Sequence, residues 1–186
     1  MSHPFMQAVA VELGKRGIAT LRYHFPYMEN GLKRVDTPKV AHATVRAAAA
    51  EAARLLPRLP LFAGGKSFGG RMTSQTQAET PLPYVKGLVF FGFPLHPAGR
   101  PSDERAQHLF DLRIPMLFLQ GTRDQLAEPK LLEPLVARLG RRATLKLIAD
   151  ADHSFHVRAS SGRTDTDVRQ EILDAFVDWI DVEIAR

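Results

Sequence analysis

Three short, β-rich apolar runs constrain this chain more than any other feature: "LPLFAGG" (59–65), "VKGLVFFGF" (85–93) and "IPMLFLQG" (114–121). Runs of this kind belong to strands covered on both faces, as in parallel sheets. The covering helices can be read around them. Phe5, Val9 and Leu13 recur every four residues, predicting a helix that starts almost at the first residue and stops near Gly17. Ser2 and His3 precede Pro4, which suits a first helical position. Thr37-Pro38 is a second cap followed by proline and opens a helix to about Leu56. "GRMTSQTQAE" (70–79) supplies the next helix. Glu128-Pro129 opens another, with Leu132, Leu135, Val136 and Leu139 on one side and Gly140 closing it. "IATLRYHF" (18–25) and "ATLKLIA" (143–149) read as further strands, and "PLHPAGRPSDERAQHLFDL" (94–112) as a polar surface excursion. Val168, Ile172, Phe176 and Trp179 form the core stripe of a last helix. Strand and helix alternate throughout, which predicts an α/β fold: a mostly parallel sheet with helices on both faces. The length of 186 residues suits one such domain. In these sheets chemistry gathers beyond the carboxyl ends of the strands.

One apolar run leads directly into "GGKSFGG" (64–70), a segment open to two chemistries. A phosphate-binding loop requires G-x-x-x-x-G-K-[ST], and Pro60 stands where its first glycine should be. A rigid Leu-Pro cannot provide the turn whose amides cradle phosphate. The other reading is G-x-S-x-G, Gly65 to Gly69, a turn that presents Ser67 between strand and helix. Gly65 and Gly69 then clear space around a strained serine, with Gly64 and Gly70 adding room. The amide of Phe68, at the helix start, is the candidate oxyanion donor.

Serine is a poor nucleophile without a base and an acid to orient that base. On a sheet of this kind the acid and then the histidine follow the serine along the chain. Asp124 stands just beyond "LFLQG", 57 residues after Ser67, and His153 stands beyond the next strand, 29 residues further on. Ser67, Asp124 and His153 are therefore the candidate catalytic residues. Asp150 and Asp152 lie too close to His153 along the chain to serve as its orienting acid. Lys66, His96 and Tyr27 are candidate substrate-binding residues. Lys66 and Arg71 flank the serine and carry charge that could attract an anion, although simple solvent exposure also accounts for them.

Composition removes several other classes. The net charge is +5 and the pI about 9.8, but the basic residues are scattered, with no nucleic-acid-binding module. No apolar run approaches the length of a membrane span. The chain has no cysteine, which excludes disulfides and thiolate metal sites and fits a cytoplasmic location. His153 and His156 are three apart without a carboxylate or cysteine cluster, so no metal site is expected.

The segments "HPFMQAVAVELGKRGIATLRYHFPYME", "GGKSFGGRM", "GFPLHPAGRP", "GTRDQL" and "DADHSF" resemble the α/β-hydrolase superfamily. Within it, the likeness is to the compact, dienelactone-hydrolase-like branch of bacterial predicted hydrolases. This resemblance covers nearly the whole chain and implies hydrolysis of an ester, thioester or related acyl bond of a small molecule, without a cofactor. It also implies an apolar strand and a His-Gly-Ala-Gly-like turn ahead of "SHPFM", carrying a second oxyanion amide. The sequence begins after that point. The expectation is either that Met1 is an internal methionine of a longer chain, or that the sheet closes differently with an impaired oxyanion hole. The alternative function is a hydrolase-fold scaffold that binds partners without turnover.

Overall fold

The computed structural model describes residues 4–185. Four parallel strands, β1 (Leu61–Lys66), β2 (Val85–Phe91), β3 (Met116–Gly121) and β4 (Ala143–Ile148), lie side by side in chain order. Their register sets Lys66 opposite Phe91, Phe91 opposite Leu119, and Gly121 opposite Ile148, so the carboxyl ends of all four lie along one edge.

Side chains alternate across a strand with a period of two, and here that alternation divides the interior into two cores. Leu88, Phe90, Met116 and Phe118 point to one face. There they meet α3 (Pro38–Leu55) through Ala41 and Val45, α4 (Phe68–Glu79) through Met72, and α5 (Pro129–Leu139) through Leu132 and Leu135. Val89, Phe91, Leu117 and Leu119 point to the other face. They meet α1 (Pro4–Lys15) through Val9 and Leu13, and α6 (Asp165–Ile184) through Val168, Ile172, Phe176 and Trp179. The four-residue and mixed three- and four-residue spacings of the sequence are thus the buried stripes of helices on both faces. The α6 start is fixed by a capping box, in which Thr164 and Asp167 each accept the other's backbone amide.

The structure departs from expectation at several places. Residues 18–25 are not a strand: the segment runs without secondary structure to a short helix, α2 (Pro26–Glu29). A ladder requires backbones about 4.8 Å apart. Instead, a cavity of about 120 Å³ is lined by Leu13, Thr20 and Leu21 on one side and by Phe62 and Gly64 of β1 on the other. As a result β1 is half-buried along its whole length, whereas β3 is buried throughout. The excursion after β2 is less superficial than its composition suggests, because Pro94 to His96 are buried and a 3₁₀ helix, Glu104–Asp111, buries Ala106 and Leu109. Thr37 precedes α3 without a side-chain capping bond, leaving Pro38 as the start signal. The expected role of Ser2 and His3 lies outside the described residues. Among the described residues no helix is long and apolar enough to cross a membrane.

Candidate active site

Ser67 follows the last residue of β1, and its amide extends the sheet by donating to Phe91 O at 3.1 Å. The chain must then reverse into α4, which begins one residue later. Ser67 makes that turn with φ 51° and ψ −117°, in a region that side chains avoid at a cost of about 1–3 kcal/mol. Close packing of strand on helix holds it there. A Cβ at Gly70 would lie 2.7 Å from Gly65 O, and one at Gly65 would lie 3.1 Å from the Gly69 backbone. Gly69, expected to provide clearance, is less constrained, since its nearest neighbour would be the Phe25 ring at 3.8 Å. The critical glycines of the turn are therefore Gly65 and Gly70.

The loops after β3 and β4 bring two further groups to the serine. His153 Nδ1 donates to Asp124 Oδ2 at 2.7 Å, and this leaves Nε2 to accept from Ser67 Oγ at 2.8 Å. Asp124 is 1% exposed and is held by two more donors. The Leu126 amide donates to Oδ1 at 2.8 Å, and Gln120 Nε2 donates to Oδ2 at 2.5 Å. Gln120 is itself fixed, because its Oε1 accepts the Phe93 amide at 2.9 Å. The result is a hydroxyl, an imidazole and a buried carboxylate in hydrogen-bonded series, an arrangement that can withdraw a proton from Ser67 as Oγ attacks. Phe68 is the first residue of α4, so its amide has no intrahelical acceptor and is available beside Oγ.

The chain belongs to the α/β-hydrolase domain family. The family model, described as an alpha/beta hydrolase domain, matches residues 1–181. Solved structures share the fold. An α/β serine hydrolase homologue from Coxiella burnetii is 18% identical with a TM-score of 0.74, over 94% of this chain and 77% of that one. An α/β serine hydrolase without a lid from Xanthomonas campestris is 23% identical with a TM-score of 0.72, over 96% and 75%. The esterase domain of a Rhodothermus marinus protein is 19% identical with a TM-score of 0.66, over 94% and 78%.

Within this α/β-hydrolase domain, the three candidate substrate-binding residues take different positions. Tyr27 packs edge-on against the Phe68 ring, with centroids 6.0 Å apart, and so stands beside the turn. Burial, with Asp36 nearby, pushes its hydroxyl above the ordinary tyrosine range. Lys66 is turned away from a substrate role: its Nζ donates to His153 O at 2.5 Å and lies beside the stacked rings of Phe5 and Phe155. Burial pushes this ammonium down to about 8, against the pull of Asp124 and Asp152. His96 is fully buried, with Nδ1 at 2.9 Å from Pro97 O and Nε2 at 2.9 Å from Glu128 Oε2. Its amide donates to Leu126 O, tying the excursion to the Asp124 loop. His96 is therefore a loop fastener rather than a pocket wall.

Two supporting residues escaped sequence reasoning. Gln120 is an amide in an otherwise apolar strand, and a polar residue near a strand end was the available signal. Asp152 was weighed only as an alternative acid. Its Oδ1 instead accepts the amides of Ser154 and His156, shaping the loop that carries His153.

Proposed function

We propose that the protein is a serine hydrolase that cleaves the ester, thioester or similar acyl bond of a small molecule. The carrying observation is that Ser67, in a left-handed turn, bonds to His153 at 2.8 Å while His153 bonds to buried Asp124 at 2.7 Å. Ser67 Oγ attacks the carbonyl carbon as His153 Nε2 takes its proton. Asp124 stabilises the imidazolium so formed, and the Phe68 amide donates to the carbonyl oxygen as it becomes an oxyanion. His153 then gives the proton to the departing alkoxide or thiolate, leaving an acyl group on Ser67. Water, deprotonated by the same nitrogen, releases the acid and restores the serine. The absence of cysteine accords with a reducing compartment, and we place the enzyme in the cytoplasm.

Labelling with a fluorophosphonate probe tests the mechanism. The folded protein is expected to be labelled at Ser67, and the Ser67→Ala variant is not. Failure of the folded wild-type protein to react, under conditions that label a control serine hydrolase, rejects it. The second reading is a hydrolase-fold scaffold that binds partners without turnover. A probe-silent protein that forms a stable complex with another macromolecule fits that second reading.

A further inference from the structure

The proposed mechanism leaves two guanidiniums without a task, one on α4 and one on the 3₁₀ helix packed against it. Arg71 stands one helical turn beyond Ser67, whose carbonyl accepts its amide at 3.1 Å. Helical side chains lean toward the N-terminus. Arg71 does so, with Cζ 6.0 Å from the centre of the Phe68 ring. The side chain is half-buried, and its Nε is enclosed without a hydrogen-bond partner. Its charged neighbour is Arg105, a cation of the same sign. Arg105 belongs to the 3₁₀ helix Glu104–Asp111, which is fastened to α4 by the 2.8 Å bond between Ser74 Oγ and His108 Nε2. Asp111 acts on His108 within this group. Neither guanidinium forms a hydrogen bond or an ion pair through its side chain with any described residue.

A cation withdrawn from water is costly unless paired, and a second cation beside it adds repulsion. Arg71 carries both costs: burial first, and Arg105 second, push its guanidinium below the ordinary range. A half-buried arginine without a protein counter-ion, with a second arginine on the 3₁₀ helix fastened to its own helix, is complementary to an anion that arrives from outside. The planar fork of arginine matches the oxygens of a carboxylate or a phosphate.

We propose that Arg71 and Arg105 form an anion subsite that selects acyl substrates bearing a carboxylate or phosphate group. The subsite is anchored at Arg71, whose backbone stands one turn of α4, about 5–6 Å along the helix axis, beyond the attacking serine. It rests on the reading of Ser67 as an acyl-transfer nucleophile. The first turn of α4 then serves both ends of the substrate, with the Phe68 amide at the reacting carbonyl and Arg71 at the charged substituent. Tyr27, Phe25 and Phe68, in ring contact with one another, provide an apolar wall beside them.

The test compares p-nitrophenyl hydrogen adipate with the neutral p-nitrophenyl hexanoate, each corrected for spontaneous hydrolysis. The expected preference in kcat/KM for the acidic ester is on the order of 10- to 100-fold, the worth of a charge-assisted hydrogen bond. It collapses toward parity in Arg71→Met and, independently of α4 packing, in Arg105→Met. Adipate and inorganic phosphate, added separately to Ser67→Ala in thermal-shift assays, distinguish the two anion classes, since the better match raises Tm and does so only with both arginines present. No ester preference together with no arginine-dependent shift overturns the subsite, even if Ser67 is labelled normally. A preference that survives both arginine variants overturns it as well. An arginine-dependent shift in a folded protein that is neither labelled nor active on either ester upholds the anion site and rejects the hydrolase reading.

Discussion

Replacing Lys66 by methionine isolates the contact that holds the His153 loop. Lys66 Nζ is buried beside the stacked rings of Phe5 and Phe155 and donates to His153 O at 2.5 Å. Burial lowers its pKa from the ordinary 10.5 to about 8. Below about pH 8 both folded and unfolded chains carry the proton, and the cost of the buried charge is fully present. From pH 8 to 10.5 the unfolded chain keeps a proton that the folded chain has released, so stability rises with pH. The rise amounts to on the order of 3 kcal/mol. Methionine removes the titration and leaves the His153 carbonyl without its donor, a loss of about 1–3 kcal/mol. Near neutral pH the two effects offset, and the variant should match the wild type within about 2 kcal/mol. With increasing pH the wild type should gain and the variant should not. Tyr23, pushed up to about 12 by burial, destabilises both proteins alike above about pH 10, so the difference between them is the informative quantity. Urea unfolding followed by fluorescence of Trp179, the single tryptophan, measures it from about pH 7 to pH 10. Stability curves that stay parallel across that range refute the buried, partly neutralised Lys66.

Three further outcomes are expected. His108 is pushed down to about 4 by burial and then by Arg71, with His42 acting in the same sense and Asp111 opposing. The unfolded chain takes up a proton as pH falls below 6.5 and the folded chain does not, so stability should fall between pH 6.5 and 4. His108→Gln should flatten that fall in acid-titrated urea melts. A Cβ on Gly64 would lie 2.0 Å from Val89 O, inside the β1–β2 ladder, so Gly64→Ala should cost about 4 kcal/mol or more, read as a lowered urea midpoint. Asp124→Asn keeps the shape of the acid but not its charge. It should lower kcat on a chromogenic ester by roughly 10³–10⁴-fold, and a loss below tenfold would show that another group orients His153.

How much of this was legible in the sequence depended on whether the determinant was local. Ser67, Asp124 and His153 could be read because each lies just beyond an apolar strand, and a parallel sheet in chain order brings those ends to one edge whatever the helices do. The helix stripes were legible for the same reason: their spacing is fixed by the helix itself. Segment 18–25 misled because β-branched and aromatic content measures fitness for a sheet, while a strand exists only where a neighbour's backbone lies within reach. Its neighbour across the 120 Å³ cavity does not. Lys66, His96 and Arg71 illustrate the same division. All three are basic side chains at or just beyond strand ends, where a water-exposed or substrate-facing role is the natural expectation. Partners 87 residues away for Lys66 and 32 for His96 commit the first to the His153 loop and the second to α5. For Arg71, the distant 3₁₀ helix brings another cation instead of a partner. Spacing along the chain could bring Ser67, Asp124 and His153 together, since all three lie at strand ends. It could not place Arg105 against α4, because that depends on which excursion settles there.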